Sequence, residues 1–125
     1  MCLPIQYALT WPSRAASDRV QTDFAALGRL DFEAPDLAKF PALGQARRAG
    51  ETGGTLPAVL NAANEIAVDA FCERQMSFPG ISDAVGQVVD RHQVVEHPTL
   101  DEIIEVDQWA RETARDVVGL GQAIA

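Results

Sequence analysis

Two histidines are the side chains whose type first suggests metal or acid–base chemistry in this sequence. His92 and His97 frame the stretch "HQVVEH", which lacks the i, i+4 spacing of a helical metal-binding pair. The sequence shows no third ligand near them, so we expect two solvated surface histidines. We therefore predict no metal-ligating residue on this chain. Of the three functions that the sequence allows, an independent metal enzyme has the least support.

Motifs that bind phosphate or activate a nucleophile are missing from the sequence. The glycine-rich stretch "GETGG", residues 50–54, lacks the Lys-Ser/Thr ending of a P-loop and follows a predicted helix rather than a strand. No G-x-G-x-x-G, no G-x-S-x-G and no catalytic Cys–His pattern occurs. The sequence therefore predicts no catalytic and no cofactor-binding residue on this chain.

Asp107 is the acidic residue that falls on an apolar helical stripe, three residues after Ile104 and three before Ala110. A carboxylate in that place is either a catalytic acid or a structural hydrogen-bond hub. Because the pattern gathers no other titratable groups around Asp107, we predict the structural role.

Two amides, Asn61 and Asn64, interrupt an otherwise apolar predicted helix. They are three residues apart and share a helix face with Glu65. Asn is a mediocre helix former, and its amide is costly inside a core unless it is hydrogen-bonded. We predict a structural role for both residues, with at least one amide bonded to the backbone of residues 36–54 or to Asp107.

Four predicted helices must position these side chains. Apolar residues recur at helical spacing in residues 41–49, 56–71, 81–89 and 100–118. Thr55 is expected to cap the second helix, with Pro57 in its first turn, and "SFPG" at 77–80 is expected to be a turn. "TLDE" predicts a capping box, with Thr99 as cap and Glu102 reaching back. Four amphipathic helices with short connections predict a C-terminal four-helix bundle in a mainly α chain.

The first forty residues are less regular than the rest. "PIQYAL" predicts one short helix that opens on Pro4 and stops before Pro12. The alternation in "RLDFE" predicts a short strand around Leu30 and Phe32. The sequence offers this strand no convincing partner, and a lone strand leaves its backbone groups unpaired. This part of the chain therefore looks like the edge of a larger domain.

Composition and charge limit the classes of function. The chain has 125 residues, 47% of them hydrophobic and 22% charged, which is typical of one soluble globular domain. Its net charge of −8 argues against binding to a nucleic-acid backbone. No stretch approaches the roughly 20 apolar residues of a membrane span. Cys2 and Cys72 show no metal spacing, so we expect a reduced, cytoplasmic location.

Five stretches resemble the C-terminal part of the 1-deoxy-D-xylulose 5-phosphate reductoisomerase family. They read "MCLPIQYALTWPSR", "LDFEAPDLAKFPAL", "GGTLPAVLNAANEIAVDAFCER", "FPGI" and "VDQWAR". The most specific is "NAANE", which follows "GGT", while Cys2 stands where the family usually has Arg. The resemblance implies that residues 1–35 are the tail of an α/β catalytic domain. It further implies a linker and first bundle helix at 36–54, and the remainder of the helical bundle at 55–125.

The resemblance also implies an activity for full-length members. They convert 1-deoxy-D-xylulose 5-phosphate to 2-C-methyl-D-erythritol 4-phosphate in the non-mevalonate isoprenoid pathway, with NADPH and Mg²⁺ or Mn²⁺, and they are homodimers. The residues that bind the metal, the phosphate and the nucleotide in these members lie upstream of the matched stretch. None of them therefore has a counterpart in this chain, and no cofactor is expected on it.

We therefore expect this chain to be the C-terminal region of a reductoisomerase and to be inactive alone. It would be the product of a truncated reading frame, a fragment, or one piece of a split enzyme. Its partners would then be the missing N-terminal and central domains. The alternative is a stand-alone helical module that binds a protein partner through apolar surface near Tyr7, Trp11 and Phe32.

Overall fold

The computed structural model of this chain describes residues 2–16 and 22–122. The chain consists of two compact units, Met1–Ala34 and Pro35–Ala125. Residues 17–21 of the predicted first domain and residues 123–125 of the predicted bundle lie outside the described residues. The helices in the described ranges are α1 (Cys2–Thr10), α2 (Phe24–Leu27), α3 (Pro41–Thr52), α4 (Leu56–Cys72), α5 (Phe78–Arg91) and α6 (Leu100–Gln122).

The predicted strand around Leu30 and Phe32 is wrong. Residues 28–36 have no regular secondary structure, and the described part of the chain contains helices but no strand. The alternating pattern is present, but a strand also needs a neighbour to pair with its backbone. The mainly α class is confirmed, whereas a sheet remnant of an α/β domain is not found among these residues.

The first unit contains α1 and α2. α1 begins at Cys2 rather than at the predicted Pro4, and it ends before Pro12 as predicted. None of its residues is buried. The rings of Tyr7 and Trp11 meet edge to face with centroids 5.5 Å apart, and the Arg14 guanidinium lies 4.4 Å from the centre of the Tyr7 ring. The side chains of α1 are therefore held by local contacts rather than by a core.

The second unit is the predicted four-helix bundle. α4 is its central element and packs against α3, α5 and α6. The core is built mainly from short side chains, which allow neighbouring helices to approach closely. Its fully or almost fully buried members are Ala49, Leu56, Val59, Ala62, Ala63, Ala67, Ala84, Val85, Val88, Val89, Ala110, Ala114 and Val117.

Two of the helix starts differ from the prediction. α4 begins at Leu56 with Pro57 in its first turn, as expected, but the Thr55 side chain does not cap it. Thr55 has helical backbone angles, and its hydroxyl bonds elsewhere in the bundle. Phe78 to Gly80, predicted as a turn, form the first turn of α5, and the Ser77 hydroxyl accepts from the Gly80 N–H at 3.3 Å.

The start of α6 confirms the predicted capping box. Glu102 accepts from the Thr99 N–H at 2.7 Å, and the Thr99 hydroxyl accepts from the Glu102 N–H at 3.3 Å. The bond from the Thr99 N–H, together with a second bond that the Thr99 hydroxyl donates to the same carboxylate, lowers the pKa of Glu102. Leu100 and Ile104 belong to the predicted apolar stripe of α6 but are exposed, so the buried part of the helix begins after its first turns.

Candidate functional site

A charged network joins α4 and α6 on the side of the bundle. Arg111 of α6 donates to Asp107 through its Nε, with 2.7 Å to Oδ2, and its Nη2 lies 2.8 Å from Glu65 Oε2 on α4. Glu65 also accepts from the Asn61 amide at 3.0 Å. The i, i+4 spacing of the pairs 61–65 and 107–111 places each pair on one helix face, and the packing of α4 on α6 joins the two pairs.

The network is suited to ion pairing rather than to proton transfer. The bond from Arg111 holds the pKa of Glu65 below its usual value, and the bond from Asn61 adds to this effect. The bonds to Asp107 and Glu65 raise the pKa of Arg111. Because Glu65 and Arg111 stay charged near neutral pH, the arrangement can clamp two helices together.

The predicted hydrogen bond from an Asn amide to the linker or to Asp107 is not formed. Asn61 is exposed and bonds to Glu65, so it reaches Asp107 only through Glu65 and Arg111. Asn64 is also exposed and makes no hydrogen bond within the described part of the chain. The neighbouring alanines form the buried face of α4. Because of the helical period, both Asn side chains then lie on the exposed side of the helix. The structural roles of Asn61, Asn64 and Asp107 stay predictions.

A second polar cluster lies inside the bundle, around Thr55. The Thr55 hydroxyl lies 2.7 Å from His92 Nε2 and accepts from the Val95 N–H at 3.1 Å. The Thr55 N–H in turn donates to the Val95 carbonyl at 3.1 Å. These contacts attach the connection after α5 to the start of α4. The Thr55 hydroxyl is buried and already engaged in these hydrogen bonds, so its role is structural rather than that of a nucleophile.

His92 is therefore not the solvated surface histidine that the sequence predicted. Its ring is half-buried and packs against Trp109, with centroids 5.3 Å apart, and burial lowers its pKa. His97 is exposed. Sequence reasoning missed this cluster because Thr55 and His92 are 37 positions apart, and no local pattern pairs them.

The described residues do not fit a metal site. Within residues 2–16 and 22–122, no three or more His, Cys, Asp or Glu side chains are grouped so that they could hold a metal ion. No step of a reaction is assigned to a metal on this chain. In the same ranges, no helix combines the length and the apolar character that crossing a membrane requires.

Comparison with known proteins places the chain in a family. A protein-family model described as the DXP reductoisomerase C-terminal domain matches residues 1–113. The chain belongs to the 1-deoxy-D-xylulose 5-phosphate reductoisomerase family. The match confirms the resemblance that "NAANE" and its neighbouring stretches indicated.

Two curated reductoisomerases show how much of a relative this chain covers. The 1-deoxy-D-xylulose 5-phosphate reductoisomerase of Halothermothrix orenii is 48% identical over 119 residues, which make up 95% of this chain and 31% of that protein. The Pseudomonas putida enzyme is 50% identical over 116 residues, or 93% of this chain and 29% of the relative. The chain thus spans less than a third of the length of these reductoisomerases.

Solved reductoisomerase structures share the fold over the same portion. The Zymomonas mobilis enzyme in complex with NADPH superposes with a TM-score of 0.80 at 38% identity, covering 93% of this chain and 31% of that one. A DOX-P reductoisomerase in complex with NADPH, fosmidomycin and magnesium gives a TM-score of 0.77 at 34% identity, with 94% and 31% covered.

Proposed function

We propose that this chain acts as the C-terminal helical domain of a 1-deoxy-D-xylulose 5-phosphate reductoisomerase and has no turnover by itself. The observation that carries the proposal is the match to a C-terminal domain over residues 1–113, combined with coverage of less than a third of the relatives. The family resemblance assigns the NADPH, metal and substrate residues to the remaining part of a full-length enzyme.

The side chains of the bundle support a structural contribution. Glu65, Asp107 and Arg111 are engaged in the α4–α6 network, and Thr55 and His92 attach a connection to α4. These groups hold elements of the bundle together and leave little freedom for chemistry. In this proposal the domain stabilises the enzyme, and the conversion to 2-C-methyl-D-erythritol 4-phosphate takes place on the other domains.

A chimera tests the proposal. The upstream part of the Halothermothrix orenii enzyme, up to the matched region, is joined to this chain. NADPH oxidation dependent on 1-deoxy-D-xylulose 5-phosphate is then measured with Mg²⁺ or Mn²⁺. We expect turnover by the chimera and none by the 125-residue chain or by the upstream part alone. Turnover by the 125-residue chain would contradict its inertness, and a chimera that unfolds cooperatively but lacks turnover would contradict the domain assignment.

A second candidate is a separate helical module that binds a protein partner. The exposed Trp11 and Phe32 side chains favour it, because large apolar groups in water usually have a partner that covers them. The DNA upstream of Met1 distinguishes the two candidates. A frame that encodes the rest of a reductoisomerase supports the first candidate, and an unrelated gene supports the second.

A further inference from the structure

The connection between α5 and α6 is attached to the start of α4 by hydrogen bonds that meet at Thr55. The Thr55 N–H donates to the Val95 carbonyl and the Val95 N–H donates to the Thr55 hydroxyl, each at 3.1 Å. The same hydroxyl lies 2.7 Å from His92 Nε2. Thr55 is fully buried, so its polar atoms depend on partners within the protein.

The bonding capacity of the hydroxyl decides which group donates in the contact with His92. A hydroxyl has one proton to donate and two lone pairs that accept. The Val95 N–H occupies one lone pair, and in the described ranges the hydroxyl makes no hydrogen bond to a carbonyl. The ring is thus the one acceptor available for its proton. The Thr55 hydroxyl therefore donates to Nε2, and the proton of the neutral ring lies on Nδ1.

The second ring nitrogen of His92 is compatible with this tautomer. Among the described residues, Nδ1 has no hydrogen-bond partner, and no side-chain nitrogen is buried without one. Nδ1 therefore reaches solvent, where water can accept from its N–H. One nitrogen of the half-buried ring faces water, and the other faces a buried hydroxyl.

A second proton on the ring would disrupt these hydrogen bonds. It would bind at Nε2, which then becomes a donor directed at the Thr55 hydroxyl. The hydroxyl would accept from Nε2 and from Val95 together, and its own proton would be buried without an acceptor. Either the ring or the Val95 N–H must then leave the hydroxyl, and both belong to residues 92–95.

The charges around His92 do not offset this conflict. Thr55 and Trp109 contact the ring from α4 and α6. Within one turn of these three positions, Asp90 pairs with Arg48, and Asp107 pairs with Arg111. The other charged residues in that range are Glu51, Arg91, Glu96, Glu105 and Glu112. Among the described residues, none forms an ion pair with His92, and burial is the cause of its lowered pKa.

We propose that the Thr55–His92 hydrogen bond is a proton-operated latch, in which the neutral ring ties residues 92–95 to the start of α4 and protonation releases them while the helices stay packed. The helices can stay packed because the apolar cluster of the core includes neither Thr55 nor His92. The latch involves residues of this chain alone, so it does not depend on the proposed function.

Nitrogen NMR of the 125-residue chain tests the tautomer. We expect neutral His92 to give the ¹⁵N shifts of an imidazole that is protonated at Nδ1 and accepts a hydrogen bond at Nε2. His97→Gln assigns the signals, because it removes the other histidine of the sequence. A neutral ring protonated at Nε2 would overturn the proposal, since the hydroxyl would then already accept from the ring.

Thr55→Val and Thr55→Ser separate the latch from burial alone. Thr55→Val removes the bond that favours the neutral ring, so the pKa of His92 should rise toward its ordinary value of 6.5. Thr55→Ser keeps a hydroxyl and should give the pKa of the parent. The same NMR titration measures both variants. An equal pKa of His92 in the two variants would overturn the proposal, because burial of the ring is common to both.

Hydrogen exchange of the unmodified chain measures the release without a change at Thr55. From about pH 7.5 to about pH 5.5, the protection factor of the Val95 amide should fall severalfold, and in His92→Gln it should stay constant. The Val88 amide in the core of α5 should be better protected than that of Val95 at both pH values. Equal protection of these two amides would mean that they open together, and a constant protection of Val95 in the unmodified chain would mean that protonation releases nothing. Either result would overturn the latch.

Discussion

Asp107 and Arg111 show how a charged pair is accommodated beside an apolar helix face. The two side chains are about one-third exposed, so each keeps part of its hydration while it bonds to the other. Arg111 also reaches Glu65, and a guanidinium can serve two carboxylates at once because its N–H donors point in different directions. The charged network thus lies at the margin of the core, where its desolvation cost is small.

The α4–α6 network should matter more than an ordinary surface ion pair. Arg111→Leu leaves Glu65 and Asp107 as two facing carboxylates without a cation, and we expect a clear loss in the free energy of unfolding. Arg48→Leu is the control, because Arg48 pairs with Asp90 at 2.8 Å while both side chains are mostly exposed. It should cost about 0.5 kcal/mol or less. Urea unfolding of both variants checks this, and equal losses would contradict it.

The half-buried His92 predicts a pH dependence of stability. Burial lowers the pKa of His92 from its ordinary value of 6.5, so on acidification the unfolded chain binds this proton before the folded chain does. The stabilisation is therefore fully present above about pH 6.5 and decreases as the pH falls below that value. We expect the urea midpoint to fall between about pH 7.5 and pH 5.5, above the range where carboxyl groups titrate.

Two variants isolate the histidine in that titration. His92→Gln should flatten the pH dependence, since the variant has no group with a lowered pKa at this position. His97→Gln is the matched control, because it replaces an exposed histidine of the same connection. A slope that survives in His92→Gln and disappears in His97→Gln would show that the assignment is wrong.

At the scale of elements, the connection from α3 to α4 depends on two glycines. Gly53 ends α3 with a φ of 69°, and its N–H donates to the Ala49 carbonyl at 3.0 Å. Gly54 follows with a φ of 55° and lies directly against the carbonyl oxygen of Val95. Both residues are in the left-handed region, and the second also has no room for a side chain. The "GGT" stretch is thereby explained by the close approach of two backbones.

Gly54→Ala should destabilise the bundle strongly. The added Cβ would collide with the Val95 carbonyl oxygen at a backbone angle that Ala disfavours, and we expect a loss of about 1–3 kcal/mol. Gly44→Ala is the control within α3, where nothing lies within 4 Å of the added methyl group. This change should stabilise the protein by about 0.5–1 kcal/mol, because Ala is the better helix former. Thermal unfolding of the two variants should give shifts of opposite sign.

At the scale of the whole molecule, the two units differ in how their side chains are buried. The bundle unit has a continuous core that runs through four helices. The first unit has α1 with no buried residue, and its Phe32 is 89% exposed. Burial of apolar surface is the main source of folding free energy, so the two units should differ sharply in stability.

Hydrogen exchange of the 125-residue chain tests that difference. Amides of α1 and of residues 22–34 should exchange close to the rate of an unfolded peptide, since little burial opposes their opening. Amides in the middle of α4 and α6 should be slowest, because both helices carry core residues. Protection of α1 as strong as that of α4 would contradict this expectation. Residues 41–125 alone should also show a cooperative thermal transition, and its absence would count against an autonomous bundle.

The sequence predicted the bundle helices well and the first unit poorly. The stripe from Leu56 to Ala70 and the capping box of Thr99 and Glu102 involve residues within a few positions of one another, so local pattern is sufficient to identify them. The strand expected near Leu30 failed for the opposite reason. Its pattern is local, but a strand forms only with a partner, and the described chain supplies none.

The family, the mainly α class and the positions of the bundle helices follow from residue types at short, regular spacing, so they can be predicted from the amino-acid sequence. The contacts of the polar side chains depend instead on how the helices pack. The partner of Thr55 lies 37 positions away, and Arg111 meets Glu65 because α6 packs on α4. The outward direction of the amides of Asn61 and Asn64 was settled in the same way, since the packing of neighbouring helices fixes which face of α4 is buried.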